Sequence, residues 1–199
     1  MGVKGYFIQY KFIIPENMKH SSYTYQKLFR ALYGYTQAVF KSNGKTYHYH
    51  RAGVLSDIPY LRPGKNCVII PEGNFQGLLE FFKTGRNPTH AWKGKGEWKA
   101  VYYMNEKTVD EKNAVLALEQ MIERLFVNSA SGRKEKLASE LNLVLSRQNQ
   151  IQPDKSYLRS LLSETNPVVS NDWFKTVYNQ SEKLGAFYTN YKKLKTLMP

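Results

Sequence analysis

The sequence lacks the features that mark several large classes of protein. It holds a single cysteine, Cys67, which excludes an internal disulfide and a zinc site built from several cysteines. No run approaches the roughly 18 consecutive apolar residues of a membrane-spanning helix. The first residues do not form a signal-peptide pattern either. We therefore expect a cytoplasmic protein that has no membrane partner.

The common catalytic motifs are also missing. There is no P-loop, no dinucleotide-binding glycine pattern, no Gly-x-Ser-x-Gly and no HExxH. The carboxylates of the first half are scattered singly, which argues against a two-metal nuclease centre. These carboxylates are Glu16, Asp57, Glu72, Glu80 and Glu97. We expect no cofactor, and a function without catalysis is favoured.

Acidic residues are scarce, because 16 Asp and Glu stand against 29 Lys and Arg, for a formal net charge of +13. Residues 1–105 hold fifteen Lys and Arg against five Asp and Glu, whereas residues 106–199 hold fourteen against eleven. Eleven of the fifteen tyrosines also fall in the first part. A strong basic excess favours a polyanionic partner, most often nucleic acid. The difference predicts two domains, a basic one over residues 1–105 and a second over residues 106–199.

The first part has the pattern of an α+β domain. Strand-like and helix-like segments alternate, bounded by glycine, proline and capping residues. The predicted elements are a strand at 6–14, a helix at 23–32, a hairpin around 43–44, a strand at 66–70, a helix at 75–83 and a hairpin at 92–104. This order suits a mostly antiparallel sheet with two helices, of ferredoxin-like character.

The second part is predicted to be an all-α region of about four helices. A capping box at Thr108-Val109-Asp110-Glu111 opens the first helix. The others are expected at about 133–148, from 154 to the Asn166-Pro167 pair, and from about 171 to 196. The last helix carries an apolar seam from Phe174 to Leu194 that is longer than its neighbours can cover. We therefore expect a homodimer through this helix.

A hairpin is indicated most strongly by Asn43-Gly44, since a type I′ turn needs positive φ at both central residues. Such a turn sets Phe40 opposite Tyr47 and Ala38 opposite Tyr49, on a face expected to join the core. The opposite face is expected to meet a partner. It would carry Lys41, Val39, Thr46, His48 and His50.

Two segments interleave basic and aromatic residues around glycine turns, the hairpin and the stretch from Trp92 to Trp98. Basic groups attract phosphates, and exposed rings offer surfaces on which unpaired bases can stack. Further cations lie on the loops between these segments. The predicted nucleic-acid-binding residues are Lys41, Lys45, His48, His50, Arg51, Arg62, Lys65, Arg86, Trp92, Lys93, Lys95 and Lys99.

His48 and His50 are also weak candidates for a metal site, because residues two apart on a strand point the same way. The His-Tyr-His sequence resembles the metal motif of rolling-circle replication initiators and relaxases. That resemblance implies a nucleophilic tyrosine on a helix with lysine nearby. Tyr188 and Tyr191, followed by Lys192 and Lys193, would supply it, although no third metal ligand stands near the histidines.

A second resemblance rests on three runs. They are Arg30-Ala31-Leu32-Tyr33-Gly34-Tyr35, Ser42-Asn43-Gly44-Lys45, and Gly53-Val54-Leu55-Ser56-Asp57-Ile58-Pro59. Together they resemble small archaeal proteins of uncharacterised function over roughly residues 6–83. The resemblance implies an archaeal source and carries no mechanism.

The leading hypothesis is a non-enzymatic nucleic-acid-binding protein that uses its basic, aromatic-rich first domain. The sequence leaves open DNA or RNA, and single or double strands. One alternative is a metal-dependent DNA-nicking enzyme that uses His48 and His50. A second alternative is a protein-interaction adaptor that works through the helical domain.

Overall fold

The computed structural model describes residues 2–88, 97–147 and 154–198. Within these parts the chain is mixed α/β with small antiparallel sheets, as the sequence predicts. The strands are β1 Gly2–Ile13, β2 Tyr35–Phe40, β3 Thr46–Arg51, β4 Cys67–Pro71, β5 Lys99–Asp110, β6 Phe126–Asn128 and β7 Lys134–Lys136. The helices are α1 Tyr23–Tyr33, α2 Phe75–Thr84, α3 Glu111–Arg124, α4 Leu137–Arg147, α5 Lys155–Ser170, α6 Asp172–Val177 and α7 Glu182–Thr196.

Contacts along the chain separate two compact units, one of residues 6–107 and one of residues 1–5 with 108–199. The predicted division into a basic domain at 1–105 and a helical domain at 106–199 stays a prediction. No helix among the described residues is both long enough and apolar enough to cross a bilayer.

The unit of residues 6–107 is built on a three-stranded sheet with the strand order β4-β1-β5. Alternation along β1 buries Ile8, Tyr10 and Phe12 on one face of the strand. These side chains join a core with the apolar faces of α1 and α2. The ferredoxin-like arrangement is not confirmed by this sheet. Of the predicted hairpin at 92–104, residues 92–96 lie outside the described residues, and β5 continues well beyond its predicted end.

Both helices of this unit have the local signals that define their ends. The Ser22 side chain accepts a hydrogen bond from the Tyr25 N–H at 3.2 Å and so caps the start of α1. Gly34 ends α1 and donates its N–H to the Arg30 carbonyl at 2.8 Å. Leu78, Phe81 and Phe82 form the buried face of α2, which Gly85 terminates. The predicted bounds of α1 and α2 are therefore confirmed to within one residue.

The two ends of the β2–β3 hairpin meet at the end of α1. The N–H groups of Val54 and Leu55 donate to the carbonyls of Ala31 and Leu32 at 2.9 and 2.8 Å. These carbonyls lie in the last turn of α1, where the helix itself has no further N–H group to donate to them. A Cβ atom on Gly53 would lie 2.1 Å from the backbone nitrogen of Gly34. Only a residue without a side chain permits this approach.

The second unit is not all-α, because β6 and β7 form a small antiparallel hairpin between α3 and α4. The predicted second helix therefore begins later than expected. Helix α3 is capped by Asp110, whose carboxylate accepts from the Lys112 N–H at 2.8 Å. Thr108, the first residue of the predicted capping box, lies in β5 instead.

The prediction that the third helix ends at Asn166-Pro167 is wrong. The prediction of one unbroken helix from about 171 to 196 is also wrong. Proline removes a hydrogen-bond donor and crowds the preceding turn. Helix α5 nevertheless continues through Pro167 to Ser170, with Leu161, Thr165 and Val168 buried on one face. The predicted long last helix is interrupted by a 3₁₀ turn at Tyr178–Gln180. Ser181 then caps α7 by accepting a hydrogen bond from the Leu184 N–H at 3.3 Å.

The apolar seam of the last two helices is covered within the unit. Helix α7 packs on α4 and α5, while α6 packs on α3 and α5. The seam residues Phe174, Val177, Leu184, Phe187 and Leu194 are all buried. The uncovered seam from which a homodimer was expected is therefore absent in the described residues, and the homodimer itself stays a prediction.

Glu123 on α3 joins two lysines from other elements of this unit. The Lys136 ammonium donates to Glu123 Oε2 at 2.6 Å, and Lys183 donates to the other carboxylate oxygen. These hydrogen bonds, with that of Lys136 the larger cause, lower the pKa of Glu123 to about 2. All three side chains are close to half exposed, so solvent screening reduces the stabilisation.

The Glu123 cluster predicts a pH-dependent contribution to stability. A carboxyl with a lowered folded pKa stabilises the fold above its ordinary value of about 4.5, and this contribution disappears as the pH falls toward 2. Glu123→Gln should therefore cost about 0.2–1 kcal/mol at pH 7 in low salt, and close to nothing near pH 2. Chemical denaturation at both pH values measures the difference. A cost that does not change with pH would contradict this assignment.

The Gly53–Gly34 approach predicts a steric effect of a single methyl group. Gly53→Ala should destabilise the protein by about 2–3 kcal/mol, because backbone atoms rather than flexible side chains stand in the way. Gly64→Ala is the matched control, since a Cβ there meets no atom within 4 Å. Thermal unfolding compares the two variants. Equal melting temperatures would show that the two backbones can separate without cost.

Candidate functional site

The turn of the β2–β3 hairpin differs from the predicted type I′ turn. The Gly44 N–H donates to the Lys41 carbonyl and the Lys41 N–H to the Lys45 carbonyl, both at 3.0 Å, so the loop has three residues. Gly44 has a φ of 74°, whereas Asn43 is not among the described residues with positive φ. Asn43 acts through its side chain, which accepts from the Lys45 N–H and donates to the Tyr47 hydroxyl, both at 3.1 Å. This is a type I turn followed by a left-handed glycine.

The extra loop residue shifts the strand pairing by one position. Val39 lies opposite Tyr47, where the sequence predicted Phe40. Ala38 lies opposite His48, where the Asn-Gly turn predicted Val39. A shift of one residue in one strand exchanges its two faces relative to the other strand. The predicted grouping of Lys41 and Val39 with the histidines is therefore wrong.

The hairpin has two faces, which we name by their side chains. The tyrosine face carries Tyr35, Gln37, Val39, Lys41, Tyr47, Tyr49 and Arg51. The histidine face carries Thr36, Ala38, Phe40, Thr46, His48 and His50. Neither face is core, because Tyr47 and Tyr49 are 37% and 38% exposed and Phe40 is 74% exposed. The prediction that Phe40, Ala38, Tyr47 and Tyr49 join the core is wrong.

Cations lie against the rings of the tyrosine face. The Lys41 ammonium is 4.6 Å from the centre of the Tyr47 ring. From α1, the Arg30 guanidinium is 5.0 Å from the Tyr35 ring and 5.3 Å from the Tyr23 ring. The Lys27 ammonium is 4.7 Å from the Tyr23 ring. We name the surface that α1 and the tyrosine face provide the cation–tyrosine strip, of Tyr23, Lys27, Arg30, Tyr35, Lys41, Tyr47, Tyr49 and Arg51.

The strip comes from a part of the chain that has no acidic residue. Between Glu16 and Asp57, forty consecutive residues contain six Lys and Arg and three of the four histidines, but no Asp or Glu. Within the described parts of the chain, the strip's cations form no ion pair with a carboxylate. The charges of Lys27, Arg30 and Lys41 lie against ring faces, which do not neutralise them.

The α1 half of this surface was not predicted from the sequence. Tyr23, Lys27 and Arg30 stand at the spacing i, i+4 and i+7, which gathers side chains on one helix face. That spacing and the absence of acidic residues were the available signals. In the same stretch the apolar stripe of the buried face, which holds Leu28, Ala31 and Leu32, is the more prominent pattern.

The histidine face brings His48 and His50 to the same side of β3, as predicted. His50 Nδ1 lies 2.9 Å from Thr36 Oγ1, within hydrogen-bond distance. The described residues contain no group of three or more His, Cys, Asp or Glu arranged to hold a metal ion. The geometry therefore supplies no complete coordination site around the two histidines.

The tyrosines proposed as nucleophiles in the nicking alternative have structural contacts. Tyr191 donates its hydroxyl proton to Asn166 Oδ1 at 2.8 Å, and its ring stacks on the Tyr188 ring at 6.2 Å. The Lys192 ammonium lies 5.0 Å from the Tyr188 ring. These contacts describe the packing of α7 and do not test the nicking activity.

The other predicted binding residues are dispersed over the first unit. Arg62 lies 4.5 Å from the Tyr33 ring, and Lys65 precedes β4. Lys99 begins β5 and is exposed. Arg86 borders a hollow that the carboxylates of Asp57 and Glu80 also line, so its surroundings are not purely basic. Trp92, Lys93 and Lys95 lie outside the described residues.

Two aromatic groups of this unit belong to its core and not to a binding surface. Trp98 is 4% exposed and packs against Phe12 and Phe81, so its predicted place in an exposed basic segment is wrong. The hydroxyls of Tyr10 and Tyr33 lie 2.7 Å apart. Burial raises the pKa of both phenols.

Comparisons of the chain with protein-family models, with curated proteins and with solved structures find no match. The resemblance to small archaeal proteins consequently stays a prediction.

Proposed function

We propose that the protein binds single-stranded nucleic acid through the cation–tyrosine strip. The observation that carries the proposal is the combination of partly exposed tyrosine rings with cations that, among the described residues, no carboxylate neutralises. Proteins that hold unpaired strands combine positive charge along the backbone with aromatic rings under the bases. The strip offers both kinds of group on one surface.

The geometry favours an unpaired strand over a duplex. In a duplex the base faces are stacked on one another and cannot reach a tyrosine ring, so only phosphates and groove edges are accessible. The rings of Tyr47 and Tyr49 then have no role in binding. An unpaired strand presents both its phosphates and the faces of its bases. DNA and RNA both satisfy this requirement.

The proposal predicts a change in the salt dependence of binding. Replacing the strip residues Lys41 and Arg51 by Ala, together with Lys45 opposite Lys41, removes three phosphate contacts, each worth about 0.7 in the slope of log K against log salt for single strands. The slope should therefore fall by about two units. Fluorescence anisotropy with labelled single-stranded DNA and RNA measures it at several salt concentrations.

A matched triple variant separates location from total charge. Lys134, Lys155 and Lys193 are exposed lysines of the other unit, and replacing them by Ala changes the net charge by the same amount. This control should leave the slope nearly unchanged. If both triple variants flatten the slope equally, overall charge rather than the strip drives binding. Circular dichroism confirms that each variant is folded.

The tyrosines predict a loss of affinity that does not depend on salt. Tyr47→Ala with Tyr49→Ala should weaken binding by about 1–3 kcal/mol for each base that stacks, with the salt slope unchanged. Phe40→Ala is the control, because Phe40 lies on the histidine face and is 74% exposed. An equal loss of affinity in the Phe40 variant would show that the histidine face contacts the nucleic acid instead.

A further inference from the structure

The sheet β4-β1-β5 has an outer face, on the side away from α1 and α2. Along β1, Ile8, Tyr10 and Phe12 point into the core that these helices complete. Along β5, Ala100 and Met104 pack against the same core. Successive side chains of a strand point to opposite faces, so the residues between these positions point outward.

The outward residues of β1 and β5 lie side by side. The Phe12 ring, near the end of β1, lies 5.5 Å from the ring of Trp98, which precedes β5. The two strands therefore run antiparallel, and the outward residues at the end of β1 lie near those at the start of β5. We name these outward residues the open sheet face. They are Phe7, Gln9, Lys11 and Ile13 from β1, with Lys99, Val101 and Tyr103 from β5.

Large apolar side chains on the open sheet face are exposed to solvent. Ile13 is 45% exposed, Val101 50% and Tyr103 63%. Apart from the neighbouring Tyr102, the other large apolar side chains that are exposed in the described part of this unit belong to α1 and the hairpin. A cluster of exposed apolar side chains on one face is typical of a surface that binds a partner.

The charges on the open sheet face are positive. Lys11 and Lys99 are exposed, and neither forms an ion pair with a described residue. The outward positions of β1 from 7 to 13 and of β5 contain no Asp or Glu. Of the acidic residues nearest along the chain, Glu106 stands at an inward position of β5 and Glu97 precedes the strand. The face therefore complements a partner that is acidic.

Two other occupants fit the open sheet face less well. A second copy of the chain would set the lysines of one face against those of the other, and like charges in contact oppose association. An unpaired nucleic-acid strand needs flat rings under its bases, whereas Ile13 and Val101 are aliphatic. A helix that is apolar on one side and acidic along its borders matches both the aliphatic side chains and the lysines.

We propose that the open sheet face binds an acidic amphipathic helix of a partner protein. The outward stretch of β1 from residue 7 to residue 13 spans about 20 Å, the length of a helix of about 13 residues. A helix about 10 Å across covers two strands that lie about 4.8 Å apart. The inference goes beyond the function proposed above, because it needs no residue of the cation–tyrosine strip.

Three synthetic peptides test the proposal on the whole protein. The probe is a capped peptide of about 14 residues, with leucine at the spacing of one helix face and glutamate elsewhere. One control peptide has lysine in place of every glutamate, and another has the residues of the probe in an order that breaks the apolar face. Fluorescence anisotropy should show the probe binding at least about tenfold more tightly than either control. No binding of the probe, or equal binding of all three peptides, would overturn the proposal.

Charge reversal locates the binding. Lys11→Glu with Lys99→Glu should weaken binding of the glutamate peptide by about tenfold or more and make the lysine peptide the tighter ligand. Lys19→Glu with Lys45→Glu is the matched control, since it changes the net charge equally at exposed positions outside the open sheet face. This control should alter the affinity by less than about twofold. An equal loss in the control would show that the peptide responds to total charge and would overturn the location.

The apolar half of the open sheet face is tested by Val101→Ser with Tyr103→Ser. Both side chains are exposed, so the fold should remain intact while the glutamate peptide loses about tenfold or more in affinity. If single-stranded RNA rather than the peptide loses affinity in this variant, the face binds nucleic acid and the proposal is wrong. A dimer in sedimentation that this variant dissociates would assign the face to a second copy, which also overturns the proposal.

Discussion

The contact between the end of α1 and the two ends of the β2–β3 hairpin determines the arrangement of the basic surface. Gly34 ends the helix and Gly53 follows the hairpin, and their backbones approach so closely that neither position accepts a Cβ atom. The amides of Val54 and Leu55 complete the contact by satisfying the last-turn carbonyls of Ala31 and Leu32. A hairpin that is exposed on both faces has little apolar burial to orient it. The contacts at the two ends of the hairpin therefore fix its direction relative to α1.

Local signals explain which elements could be predicted from the sequence. The ends of α1 depend on Ser22 and Gly34, whose capping chemistry is encoded within a few residues. The buried face of β1 follows from alternation alone. The hairpin register could not be predicted in this way, because Asn43 can take part in either a two-residue or a three-residue loop. The side chain of Asn43 hydrogen-bonds to Lys45 and Tyr47, and these bonds favour the three-residue loop. The Asn-Gly pair alone does not indicate which of the two loops forms.

The charged residues of the candidate site could be predicted from the sequence, but their geometry could not. Lys41, Lys45 and Arg51 could be named because cations beside glycine turns are evident in the sequence. The relation of Lys41 to the tyrosines of the other strand depended on the register, which a single loop residue reverses. The contribution of α1 depended on its exposed face, where Arg30 reaches from Tyr23 to Tyr35. The end of α5 was missed because its buried face continues past Pro167 to Val168. The start of α7 was missed although Ser181, which caps it, is a local signal.

The use of rings in place of carboxylates has a consequence for binding. A carboxylate beside Lys41 or Arg30 would order the cation but would also neutralise it, and a polyanion would have to displace that partner. A tyrosine ring attracts the cation by about 0.5–1 kcal/mol at an exposed site and leaves its net charge unchanged. The cations of the strip are thus oriented while their field remains available to phosphates. Because orientation is established before a ligand arrives, less side-chain entropy is lost when the ligand binds.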